Sequence, residues 1–150
     1  MAERVIFHVD ANSAFLSWSA AYRVNVLGET EDLREVPSVV AGDKESRHSI
    51  ILAKSIPAKK YGVSTGEPLF QALQKCPDLR VVEPDYGLYV ECSRHFVQML
   101  RQFSPAVEQY SIDEAWVDMT GTERLWGSPR QAAEIMRSRI LQELGFTVNI

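Results

Sequence analysis

Cysteine is scarce, with Cys76 and Cys92 the only two among 150 residues. They form no CxxC pair and have no ligand cluster beside them, so a disulfide framework or a zinc site is not expected; buried or half-buried free thiols are. Histidine is nearly as sparse, at three. No apolar run approaches the ~20 residues needed to span a bilayer, which excludes a transmembrane helix from the expectation. The first ten residues lack the basic-then-apolar pattern of a secretory signal, so cytoplasmic folding is the default. An excess of positive charge is missing too. Sixteen Lys and Arg stand against twenty Asp and Glu, a net charge of −4, and this weighs against a duplex-binding face within these residues. What is present suits an ordinary folded protein: 45% hydrophobic and 24% charged residues, in a length that fits one domain or one domain with a small insertion.

The hydrophobic pattern divides the chain. Residues 4–10 form a short apolar run ending in Asp10, a buried strand. Asn12 and Ser13 are N-cap candidates for a helix whose apolar face is Phe15, Trp18, Tyr22 and Val26, stopped near Gly28. Residues 29–35 are acidic and aperiodic. Runs 36–41 and 49–53 predict two strands of a hairpin joined by the polar residues 43–48. Short helices are predicted over 57–61 and 69–75, the second stopped by Pro77, and a strand over 79–82. Residues 86–103 give an amphipathic helix with Tyr89, Phe96, Val97 and Leu100 on its stripe. Residues 106–110 and 114–119 predict a tight hairpin and 121–127 a loop. Residues 129–144 predict a helix ended by Gly145, and 146–150 a last strand. No repeat or low-complexity segment occurs. With 29–83 set aside, the order fits an antiparallel sheet with helices on one face, and 29–83 is an inserted subdomain. The last apolar run calls for a continuation, so truncation is expected.

The chemistry centres on carboxylates. Asp10 ends the first strand, and Asp113 and Glu114 stand where the 106–119 hairpin turns. If that strand lies beside the hairpin, three carboxylates converge on one edge of the sheet. Like charges raise one another's pKa, and a divalent cation removes the repulsion. Hard oxygen donors without His or Cys suit Mg²⁺ or Mn²⁺. Two such ions about 3.5–4 Å apart clamp the attacking and leaving oxygens of an in-line phosphoryl transfer. Taken on spacing alone, an Asp at a strand end and an Asp-Glu pair at a turn are more often solvated residues.

The wording around these residues is more specific. Residues 110–118 read Y-S-I-D-E-A-W-V-D and resemble the S-I-D-E-A-[aromatic]-[aliphatic]-D signature of Y-family translesion DNA polymerases of the UmuC/DinB type. Residues 7–15, F-H-V-D-A-N-S-A-F, resemble their first motif. Residues 58–63, A-K-K-Y-G-V, resemble their fingers segment. The three come in family order with family-like spacing, across the whole chain.

The resemblance implies an α+β fold. A ferredoxin-like palm, truncated at its C-terminus, would comprise residues 1–28 and 84–150. A small α/β fingers subdomain would occupy 29–83, with thumb and little-finger domains absent. It implies that Asp10 and Asp113 bind two Mg²⁺ ions (Mn²⁺ serving as well), that Glu114 binds the catalytic one, and that the carbonyl of Ala11 ligates the nucleotide-side one. Ser13, Ala14 and Phe15 would meet the nucleotide, the N–H groups of Ala14 and Phe15 holding triphosphate oxygens at a helix start. Phe15 falls at the steric-gate position that excludes a 2′-hydroxyl. Ile56 and Lys59 stand where the family often has a triphosphate-binding Tyr and Arg. Lys59 keeps a point charge without the guanidinium fork, and Ile56 cannot donate a hydrogen bond. Ser13 stands where many members carry an aromatic.

The implied activity is error-prone lesion-bypass DNA synthesis in DNA damage tolerance. Its implied partners are primer-template DNA, a deoxynucleoside triphosphate and a sliding clamp reached through the missing C-terminal region, in the bacterial cytoplasm at the nucleoid. The missing domains would carry the basic surface, and the fragment alone is expected to be inactive. Two other readings are a non-catalytic paralogue serving as a scaffold, which would be expected to lose acidic ligands, and another palm-type enzyme such as a nucleotide cyclase, which the S-I-D-E-A context does not suit. Of the remaining residues, His8 is read as a packed core histidine, and His48 and His95 as surface residues. Trp116 and Trp126 are packing aromatics, and Asp118 is structural. Lys44, Arg47, Lys54, Lys59 and Lys60 form a loose basic cluster.

Overall fold

The computed structural model describes residues 3–150 except Lys44 and Arg47, so two members of the basic cluster lie outside the described residues. In chain order the strands are β1 (Ile6–Ala11), β2 (Ser38–Ala41), β3 (Ile51–Lys54), β4 (Arg80–Val82), β5 (Val107–Ser111), β6 (Glu114–Asp118) and β7 (Val148–Asn149). The helices are α1 (Ala14–Asn25), α2 (Ile56–Lys59), α3 (Leu69–Lys75), α4 (Tyr86–Arg101), α5 (Glu123–Trp126) and α6 (Pro129–Arg139). Contacts group them into two units, one running to Asn12 and resuming over Tyr89–Ile150, the other Ser13–Leu88. No helix among the described residues is long and apolar enough to cross a membrane.

The first unit is built on a four-stranded sheet in the order β5-β6-β1-β7, antiparallel throughout. Strand alternation gives this sheet two unlike faces. Phe7, Val9, Ala11, Ala115, Val117 and Val148 form one, each buried. Ile6, His8, Asp10, Glu114, Trp116 and Asp118 form the other, and Ile6 and Trp116 on it are exposed. Helices α4 and α6 supply apolar stripes to the closed side: Phe96, Val97 and Leu100 from one, Ala132 and Met136 from the other, all buried. Phe96 meets Phe146 edge-on at 5.8 Å between ring centroids. Burial of each of the larger of these side chains favours the folded state by about 1.5–3 kcal/mol. This is the predicted antiparallel sheet with helices on one face.

The helix predicted over 129–144 is regular only to Arg139, then widens into a π-helical turn over Ile140–Leu144 and stops at Gly145 with φ +83°. A left-handed residue closes the last turn, and glycine adopts it without strain. Its start is fixed by a reciprocal cap between Ser128 and Gln131. The predicted loop 121–127 contains the short helix α5, whose Trp126 indole donates to the Phe103 carbonyl at 3.1 Å and stacks on the Phe103 ring. Trp126 is thus a packing aromatic, as predicted.

The second unit holds a three-stranded sheet in the order β3-β2-β4. β2 and β3 form the predicted antiparallel hairpin, while β4 joins β2 in parallel, a pairing the sequence pattern did not indicate. One apolar cluster gathers Val39, Ile51, Leu69, Ala72 and Leu79. A second gathers Leu16 and Ala20 of α1 with Leu33, Val40, Ala53 and Val82, so α1 shares its core with this unit. The stretch 29–35, read as aperiodic, includes a 3₁₀ turn at Leu33–Glu35 capped by Asp32.

Two expectations about α1 need correction. Of its predicted apolar face only Trp18 is fully buried; Tyr22 and Val26 are 38% and 66% exposed. The buried residues are instead Ala14, Leu16, Ser17, Ser19, Ala20 and Ala21, most of them small, with Leu16 and Ala20 packed in the second cluster. Ser13 does occupy the N-cap position, but with φ 43° and ψ 55° its hydroxyl makes no capping bond. A capping side chain needs extended backbone to reach the N2 or N3 amide, and the left-handed turn denies it. The amide of Asn12 donates to Thr147 Oγ1 at 2.9 Å, and its side-chain oxygen accepts from Asn149 Nδ2 at 2.7 Å.

Candidate active site

Register brings the carboxylates together. Asp10 pairs directly with Glu114 across β1 and β6, and the Ala11 N–H donates to the Asp113 carbonyl at 2.9 Å. Asp10, Ala11, Asp113 and Glu114 therefore share one end of the first unit's sheet. A strand-end Asp and a turn Asp-Glu, 103 residues apart in sequence, meet because β1 lies between β6 and β7.

Side chains from α4 and β5 hold the turn. Ser93, a buried residue of α4, donates its hydroxyl to the Ile112 carbonyl. Gln109 Nε2 donates to Ser93 Oγ at 2.9 Å and to the Ser111 carbonyl at 3.0 Å. The β5–β6 register slips between Gln109 and Ser111, and such an irregularity re-aims the residues beyond it.

The acids themselves turn toward donors. Ser111 Oγ lies 2.9 Å from Asp113 Oδ1 and 2.9 Å from Glu114 Oε2. His8 Nε2 lies 3.1 Å from Glu114 Oε1. The carboxyl of Asp10 is pushed above its ordinary value, first by burial, then by the charges of Asp113 and Glu114, with His8 opposing. Among the described residues no three His, Cys, Asp or Glu side chains stand in an arrangement that would itself hold a metal ion. Like-charged oxygens gain more by facing hydroxyl and imidazole donors than by facing one another. The donor set nevertheless fits a hard divalent cation. It is all oxygen, and a cation would offset the repulsion that raises Asp10.

His8 departs from its reading as a core histidine. Its side chain is 38% exposed on the open face of the sheet, with its ring 4.5 Å from that of Trp116. Trp116, read as a packing aromatic, is 43% exposed and packs its ring against His8. Asp118 is structural as predicted: it accepts from the Thr120 N–H and from Arg4, and its carboxyl is held below the usual range first by the Thr120 side chain, then by the Thr120 N–H, with Arg4 adding to them. Ser93, Gln109 and Ser111 were not singled out. Ser111 immediately precedes the acidic pair, and His8 sits two residues before Asp10, so strand alternation could have flagged the latter; Ser93 and Gln109 carry no local signal.

The other candidate residues belong to the second unit. Ala14 opens α1 and is buried. Phe15 is half-buried, its ring 6.0 Å from Tyr86 edge-on and 6.3 Å from Trp18. Ser13 is the only non-glycine residue of positive φ among the described residues, a conformation that costs strain in an L-residue. Ile56 is 73% exposed at the start of α2, a single turn capped by Ser55, and Lys59 is exposed at its end. Lys60 is exposed, and Lys54 donates to Thr65 Oγ1 at 3.3 Å.

The chain is similar to known proteins in sequence and in fold. The DNA polymerase IV of Clostridium acetobutylicum is 50% identical over 147 residues, which are 98% of this chain and 37% of that protein. The DNA polymerase IV of Alkaliphilus oremlandii is 39% identical over 146 residues, covering 97% of this chain and 35% of that one. The chain thus spans about a third of the length of the curated relatives it matches. The crystal structure of DinB from Sulfolobus solfataricus superposes with a TM-score of 0.76 at 24% identity, over 95% of this chain and 40% of that one. A Y-family DNA polymerase chimera superposes with a TM-score of 0.78 at 23% identity, with the same coverage. These likenesses establish the mixed α/β fold of the palm and fingers region. Residues 9–150 match the family model described as IMS, impB/mucB/samB, and the chain belongs to that family.

Proposed function

We propose that this chain is the N-terminal catalytic portion of a DNA-directed DNA polymerase of the lesion-bypass type. The observation that carries the reading is the pairing of Asp10 with Glu114 beside the Asp113–Ala11 backbone bond, which gathers three carboxylates at one sheet end. Relatives named DNA polymerase IV support the same reading. In this proposal residues 1–28 and 84–150 are the palm, and residues 29–83 are the fingers.

Asp10, Asp113 and Glu114, with the carbonyl of Ala11, would hold two Mg²⁺ ions. When bound, such ions supply Lewis-acid activation of a primer 3′-hydroxyl and neutralise a triphosphate. The chain's own contribution is placement. The β1–β6 register fixes the spacing of Asp10 and Glu114, and the Ser93–Ile112 bond fixes the turn that carries Asp113. The N–H groups of Ala14 and Phe15 are proposed to bind triphosphate oxygens, with Phe15 as the steric gate and Lys59 neutralising phosphate. Ser13 and Ile56 are proposed to line the nucleotide site without a charged contact. Primer-template DNA, a deoxynucleoside triphosphate and a sliding clamp are the proposed partners of the full-length protein, and the 150 residues alone are proposed to be inactive.

Primer extension by full-length protein in Mg²⁺ tests the reading. Asp113→Ala is expected to abolish extension, and an unchanged rate would refute the assignment. Efficient extension by the 150-residue chain would refute the proposed need for further domains.

A further inference from the structure

Glu114 is held at both oxygens by different partners. Oε2 lies 2.9 Å from Ser111 Oγ, which is also 2.9 Å from Asp113 Oδ1. Oε2 is therefore the oxygen on the Asp113 side. Oε1 lies 3.1 Å from His8 Nε2. A carboxylate only accepts, so the ring nitrogen facing it carries the hydrogen. The ring cannot turn away freely, because its centroid lies 4.5 Å from that of Trp116 at an interplanar angle of 39°. Register explains the geometry. His8 pairs with Trp116 and Asp10 with Glu114, so Glu114 reaches diagonally over the sheet to the ring two residues before its own partner.

We propose that His8 is a positioning residue that selects which oxygen of Glu114 is offered to a metal ion. It occupies Oε1, while Oε2, with the Ser111 hydroxyl as its partner, stays on the Asp113 side, and Trp116 is the shelf that fixes the imidazole. The proposal rests on the reading of Asp10, Asp113 and Glu114 as metal ligands. Its physical basis is general. A carboxylate that can rotate presents either oxygen and loses orientational entropy on ligation, whereas one held by a donor on its far oxygen has already lost it. Partners of this kind typically change metal affinity by about 10–100-fold when removed.

The test is Mn²⁺ binding to this chain, read from the free-ion electron paramagnetic resonance signal, with thermal unfolding in chelator as the control for folding. His8→Phe keeps a ring against Trp116 and loses the donor. His8→Gln restores an N–H donor without the imidazole. His8→Phe is expected to bind Mn²⁺ about tenfold more weakly or worse, and His8→Gln to recover most of the loss, with all three chains folded in chelator. In full-length protein His8→Phe is expected to raise the Mg²⁺ concentration for half-maximal extension while the KM for deoxynucleotide holds. Mn²⁺ affinity of His8→Phe within twofold of the parent overturns the proposal, as does tighter binding or a His8→Gln no better than His8→Phe. Asp113→Ala separates the two failures. If Asp113→Ala weakens Mn²⁺ binding and His8→Phe does not, the positioning role alone falls. If the parent shows no Mn²⁺ binding that depends on Asp113, the metal-ligand reading falls and the positioning role with it.

Discussion

Ser93→Ala removes one hydroxyl and should reach the candidate site through the backbone. In the parent that hydroxyl donates to the Ile112 carbonyl and accepts from Gln109 Nε2. Ser93 is 5% exposed, so water does not readily replace it. The Ile112 carbonyl loses its donor, and an unsatisfied group of this kind costs about 1–3 kcal/mol. Ile112 is half-buried and Gln109 is exposed with a second bond to the Ser111 carbonyl, which places the cost near the lower end, at about 1–2 kcal/mol. For a chain of this size that corresponds to a Tm fall of about 2–8 °C. The loss is local to the turn, so hydrogen exchange at the amides of residues 112–114 should quicken more than at those of β1. Calorimetry and exchange mass spectrometry measure both. A Tm within 1 °C of the parent, with unchanged exchange at the turn, would refute the argument that α4 holds Asp113 in place.

Three other outcomes are expected. Phe96→Ala should cost about 3–5 kcal/mol, because it opens a cavity against Phe146 between two buried rings, and denaturant titration measures it. Lys75→Met should move acid unfolding to higher pH. Burial works to raise the Glu67 carboxyl, but hydrogen bonds from Lys75 at 2.8 Å and the Ser64 N–H at 2.8 Å outweigh it and hold the group below its ordinary 4.5. A depressed carboxyl contributes stability above its unfolded value that is lost as pH falls through the folded one, and without Lys75 that loss starts sooner. An acid-unfolding midpoint that does not rise would count against this ion pair. Phe15→Ala in full-length protein should increase ribonucleotide incorporation; a drop in Tm with unchanged sugar discrimination would instead make Phe15 a packing residue for Trp18 and Tyr86.

Elements whose pattern is local were legible from the order of residues. The alternation around Val9, the stripe Tyr89–Phe96–Val97–Leu100 and the Gly145 stop each follow from side-chain period and backbone freedom, which neighbours in the chain set. That order also marked Asp10, Asp113 and Glu114, because the wording around them is distinctive. Tertiary structure alone decided what those residues touch. Which helix face is buried on α1 depended on where Leu33, Val40, Ala53 and Val82 came to pack against Leu16 and Ala20, and no period encodes that. The parallel partnership of β4 with β2 joins strands far apart in sequence. The pairing of His8 with Glu114 arises only when β1 and β6 adopt one register among several that alternation would permit. Hydrogen bonds between residues a hundred positions apart are set by the global packing of the sheet, and the sequence specifies them only through that packing.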